Sequence, residues 1–147
     1  MGMDVYGRYP STDVGEYFRA SIWGWAPIHS LICRASDEHL ETFGEPLFDH
    51  DTLVRLSCND GDGTDDKETC IILADYLEHY AKEIGENSFE IDLGIRCCSE
   101  TRKFLSKDEA KEYEETGKKC ESPYKIAQEF VLEFCRFLRD CGGFNVH

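Results

Sequence analysis

Apolar residues recur three or four apart through the longest stretches of this chain, and that spacing predicts helices. Between Asp66 and Ile84 the positions Cys70, Leu73, Leu77, Ala81 and Ile84 line one face, with Gly85 just beyond as a stop and Glu78 and Lys82 as a supporting pair one turn apart. Near the C-terminus Ile126, Ala127, Phe130, Val131, Phe134, Phe137, Leu138 and Cys141 cover more than half of a second helix, which should therefore be packed on two sides. Ser122 reads as its N-cap, Pro123 as its first residue and Gly142-Gly143 as its end, with Arg136 and Arg139 near the negative end of its dipole. A third helix is predicted over 25–36, with Pro27 near its first position and Ile28, Leu31, Ile32 and Ala35 inward. One or two helical turns are expected over 16–22.

Shorter segments alternate instead, as half-buried strands do. Met3 to Gly7 reads as a strand ended by the turn residues Arg8-Tyr9-Pro10-Ser11, and Phe144 to His147 as a terminal strand returning beside it. Leu53 to Cys58 reads as a strand that stops at Asn59-Asp60-Gly61-Asp62-Gly63, where two glycines and the Asx side chains favour a turn. Phe89 to Leu93 alternates strictly. Ser106 and Glu109 have capping-box spacing before a helix over 110–116, whose few apolar positions make it a solvated excursion.

Length and composition turn these elements into a globule. A chain of 147 residues fits one domain, residues 1–147, and buries roughly two thirds of its unfolded surface. Its 41% hydrophobic and 12% aromatic residues are too many for a disordered acidic tail. The predicted fold is α+β and mainly helical, with a small antiparallel sheet joining the termini and the strand before the glycine turn. The N-terminus has no basic segment followed by an apolar one, and no run approaches membrane-spanning length, so a soluble cytoplasmic protein is expected. In that reducing setting most of the eight cysteines should be free, buried thiols.

Three separated blocks carry a resemblance. Met1-Gly2-Met3-Asp4-Val5-Tyr6-Gly7 with Gly15-Glu16-Tyr17-Phe18-Arg19, Trp23 and Trp25-Ala26-Pro27 opens the chain, Asn59-Asp60-Gly61-Asp62-Gly63 precedes a helix, and Phe137-Leu138-Arg139-Asp140-Cys141-Gly142-Gly143-Phe144 closes it. In these blocks the chain resembles a group of bacterial and phage proteins with no established activity. Some members carry zinc-ribbon-like cysteine pairs between the second and third blocks. Here only Cys97-Cys98 and Cys120 stand there, without a C-x-x-C pair, so the resemblance implies no metal and no cofactor.

Candidate chemistry is sparse. Counted from Asp60, the glycine turn begins like a calcium loop, but Asp65 stands where glycine is needed and Ile71 where a bidentate glutamate is needed. The plainer reading is acidic residues capping the helix that follows. His29 and Cys33 are four apart, as are Asp75, His79 and Glu83, so each set could share a helix face and hold a metal or a general base. Packing for the first set and a solvated face for the second are the plainer readings. No nucleophile elbow, zinc-protease or phosphate-loop spacing occurs. Tyr17, Phe18, Trp23 and Trp25 could stack bases, but a net charge of −14 opposes phosphate, so core packing is expected of them.

The charge itself is concentrated. From Asp37 to Glu68 eleven carboxylates face only Arg55 and Lys67, a net −9. Such a surface repels nucleic acid and attracts basic protein grooves. Ordinary solubility explains it at least as simply. The expectation is nonetheless a non-enzymatic acidic binding protein whose Asp49, Asp51, Asp60, Asp62, Asp65, Asp66 and Glu68 imitate phosphates and occupy a basic nucleic-acid-handling protein, as phage-encoded anti-defence and anti-CRISPR inhibitors do. The alternatives are a metal-dependent or thiol enzyme built on His29, Cys33 or the Asp60 and Asp62 turn, and a structural or assembly protein.

Overall fold

Three helices start where a side-chain oxygen, from Ser21, Asp49 or Asp66, takes up otherwise orphaned amides. The structure, a computed structural model, describes residues 2–57, 63–84, 89–90, 125–126 and 128–147. Helix α1 spans Ile22–Phe43 and is capped by Ser21, whose hydroxyl accepts from Gly24 N at 3.2 Å. It ends at Gly44, in the left-handed region at φ 81°, whose N–H reaches Leu40 O. It is longer than the predicted 25–36, and Pro27 lies in its second turn, costing one backbone bond. Trp25, Ile28, Leu31, Ile32 and Ala35 are buried on one side, whereas from Asp37 onward the helix runs out along the surface with Leu40 and Phe43 exposed.

Helix α2, His50–Leu56, overturns the strand expected over 53–58. Its apolar residues alternate well enough for a strand, but its ends are satisfied as a helix. Asp49 caps its start, accepting from Thr52 N at 2.7 Å, and α1 holds its end: Trp25 Nε1 donates to Leu56 O at 2.8 Å and His29 Nε2 bonds Leu53 O at 2.6 Å. Ser36 of α1 grips the segment just before, donating to Phe48 O at 3.0 Å and accepting from Phe48 N at 3.1 Å.

Helix α3, Lys67–Ile84, agrees with the predicted periodicity and buries Cys70, Leu73, Ala74, Leu77, Tyr80 and Ala81. Helix α4, Gln128–Asp140, begins five residues after the expected Pro123, because Lys125–Ile126 form a strand; Ser122 and Pro123 fall outside the described residues. It packs along α3 on one side and against the sheet on the other, the two-sided burial its apolar girth predicts. Arg139 locks the helix pair, reaching Asp75 at 2.9 Å and Glu78 at 2.7 Å. Glu78 thus pairs across helices.

The sheet is antiparallel with order β2-β1-β6-β3, from β1 Gly2–Gly7, β2 Tyr17–Ser21, β3 Gly63–Thr64 and β6 Phe144–Val146. Where helical turns were expected over 16–22, β2 pairs with β1, Phe18 opposite Val5 and Ala20 opposite Met3. Those residues point inward while Tyr17, Arg19 and Ser21 face out, a period-two burial no helix can provide. The termini join as predicted, with Val5 opposite Val146 and paired bonds between Asp4 and His147. The fourth strand is the one after the glycine turn, β3, and not the one before it. A separate ladder pairs β4, Phe89–Glu90, with β5, Lys125–Ile126. The rest of the predicted strand to Leu93, the helix over 110–116 and the turn residues 59–62 lie outside the described residues.

The core sits between α1, α3, α4 and the inner sheet face. Phe18 lies 4.9 Å from the Phe134 ring, and Trp25 meets Phe134 edge-on at 5.8 Å. Trp25 and Phe18 are thus core residues, as expected, but Tyr17 is exposed on the outer face and hydrogen-bonds Asp4, which raises its phenol pKa. The fold is α+β, with four helices and a small antiparallel sheet among the described residues.

Candidate functional site

Of the seven acidic residues singled out from the sequence, five are described, and two of these are occupied within the fold. The hydroxyl and backbone amide of Thr52 hydrogen-bond the Asp49 carboxylate and hold its pKa below the ordinary range. Asp66 has the same duty at α3: its Oδ1 accepts from Glu68 N at 3.1 Å and its Oδ2 from the Thr69 hydroxyl at 2.8 Å, while its carbonyl accepts from Cys70 N. This is the capping role that the plainer reading assigned to the acidic turn. Asp51, Asp65 and Glu68 are exposed, and their side chains take no part in those caps. Asp60 and Asp62 lie outside the described residues.

Further exposed carboxylates lie in α1 and the loop after it, outside the seven. Asp37 and Glu41 lie one turn apart on the exposed end of α1, and partial burial followed by the charge of Glu41 raises the Asp37 pKa. Like charges at this spacing oppose each other. Their four-residue interval was the signal that could have found them. Glu45 is exposed in the loop that follows. On the neighbouring face cations are engaged: Arg34 bridges Glu38 at 3.2 Å and Glu83 at 3.3 Å and lies 4.1 Å over the Tyr80 ring.

The candidate reactive sets separate. His29 and Cys33 do share a face, with Cys33 Sγ 4.0 Å from both ring nitrogens, but each is 2% exposed. Because Leu53 O can only accept, Nε2 carries the proton in this bond, and the imidazole serves as a donor to the end of α2. Asp75, His79 and Glu83 lie on the outer side of α3, where Asp75 is held by Arg139 and His79 lies 3.3 Å from Glu83. Among the described residues no three of His, Cys, Asp and Glu converge where a metal ion could sit. Cys33, Cys70, Cys135 and Cys141 are buried thiols outside any disulfide, and burial pushes Cys135 up to about 12. Cys58, Cys97, Cys98 and Cys120 lie outside the described residues.

What the arrangement offers chemically is therefore a set of exposed carboxylates on α1, α2 and the start of α3. Among the described residues no helix is long and apolar enough to cross a membrane. No known protein family, curated protein or solved structure matches this chain.

Proposed function

We propose that this chain is a non-enzymatic acidic binding protein that occupies a basic, nucleic-acid-binding surface of another protein in the cytoplasm, in the manner of phage inhibitors of nucleic-acid-targeting defence systems, anti-CRISPR inhibitors among them. The observation that carries the reading is the run of exposed carboxylates in consecutive elements, from Asp37 and Glu41 on α1 through Asp51 on α2 to Asp65 and Glu68 at the start of α3. Holding Asp37 and Glu41 next to each other costs stability that a solubilising surface gains nothing from. A cationic groove laid over them would relieve that repulsion and release counterions, so binding would weaken as salt rises.

The test is capture from host lysate at low and high salt, with bound proteins identified by mass spectrometry, beside a triple variant Asp51→Lys, Asp65→Lys, Glu68→Lys. These three positions spare the caps made by Asp49 and Asp66, so the variant should fold. A nucleic-acid-handling protein retained at low salt, released at high salt and lost with the triple variant is the expected result. Equal retention by the variant refutes the reading, and recovery of further copies of the chain alone favours an assembly role.

A further inference from the structure

The start of α3 and the turn after α4 bring together two thiols that the acidic surface does not use. Cys70 lies in the first turn of α3, and Cys141 directly follows α4. The β3–β6 pairing sets Thr64 opposite Phe144, so the segments leading into one cysteine and away from the other run side by side. They are pressed together: a Cβ on Gly143 would lie 2.8 Å from Thr64 O and 2.9 Å from Asp65 Cα. Both thiols are fully buried and free.

The Cys70 and Cys141 side chains interact with each other, and the Cys141 thiol donates to Leu138 O at 3.4 Å. The Gly143 amide hydrogen-bonds to both sulfurs. The two members are therefore unlike. Contact with Cys70 and the Gly143 amide lower the Cys141 pKa against its burial, whereas contact with Cys141 and burial raise that of Cys70.

We propose that Cys70 and Cys141 form an oxidation site at which a peroxide closes an intramolecular disulfide. The Cys141 thiolate attacks one peroxide oxygen, the O–O bond breaks, and the departing hydroxide takes a proton to become water, leaving a sulfenic acid. The Cys70 sulfur gives up its proton and attacks the Cys141 sulfur, and the sulfenic oxygen leaves as a second water. Two thiols lose two electrons and one hydrogen peroxide becomes two waters. A peroxide suits complete burial, since a tripeptide disulfide would have to displace the turn. The bond closes a loop of about 70 residues, which should lower the unfolding equilibrium constant about a thousandfold.

The test exposes the folded protein to hydrogen peroxide at neutral pH, alkylates the remaining thiols, and maps the digest by tandem mass spectrometry. The expected product is a Cys70–Cys141 linked peptide from a chain lighter by two hydrogens, reversed by reductant, with a raised urea midpoint. Cys33 and Cys135 should stay reduced. In Cys70→Ser the reaction should stop at a sulfenic acid on Cys141, trapped by dimedone. The wild-type map decides alone if that variant does not fold. Persistence of both thiols, or a disulfide forming first at any other pair, overturns the proposal.

Discussion

Replacing Ser36 by alanine should cost far more than the loss of one exposed hydroxyl. Ser36 is 1% exposed, and its oxygen serves both polar groups of one residue, the Phe48 carbonyl at 3.0 Å and the Phe48 amide at 3.1 Å. Ser36→Ala removes a single atom, so the cavity contribution is small and the consequence falls on those two backbone groups. Each buried group left without a partner costs about 1–3 kcal/mol, and alanine's better helix propensity returns about half a kcal/mol. A net loss of about 1.5–5.5 kcal/mol follows, a large share of the 5–15 kcal/mol typical of a domain. Urea denaturation measures it as a lowered midpoint at unchanged slope, and hydrogen exchange at the Phe48 amide should accelerate accordingly. Ser11→Ala, which removes exposed bonds to Asp140, is the control and should change stability by less than about 0.5 kcal/mol. A Ser36→Ala loss no greater than the control would refute the role given to this clamp in placing α2.

Gly143→Ala should destabilise by about 2 kcal/mol or more, because φ is 106° and the added Cβ meets the Thr64 carbonyl; Gly44→Ala, at φ 81° with open space, should cost about half as much in the same titration. Asp49→Ala should destabilise at neutral pH. Since the folded pKa of Asp49 is depressed, its contribution is present above the ordinary carboxylate pKa and fades as pH falls through the folded value, so the two proteins' midpoints should converge in acid. Asp37→Asn should act oppositely. A raised folded pKa means that stability is lost as pH rises through the carboxylate range, so the variant should be more stable than the parent at neutral pH and equal to it below that range. A constant difference across the pH series would contradict either assignment.

Periodicity read α3, the interior of α4 and strands β1 and β6 from the sequence, because in each the buried positions recur at the element's own period along its length. It failed where the deciding partners are distant. Leu53 to Leu56 looks like a strand locally, and only Trp25 and His29, some thirty positions earlier on α1, supply the donors that close it as a helix. Tyr17 to Ser21 looks helical locally, and only pairing with β1 selects the extended form. Of the candidate site, the local density of charge was legible, but not which carboxylates the fold had already engaged as caps.

Charge and hydrophobic spacing are properties of the chain itself, so the acidic stretch, the α+β class and the joined termini were determined before any folding. The duties of individual polar groups depend on which donors tertiary packing brings within 3 Å. Only the folded structure could therefore assign His29 to a carbonyl of α2, Ser36 to the Phe48 backbone, and Cys70 to Cys141, since a buried polar group must find its partner wherever the packing of apolar side chains has placed one.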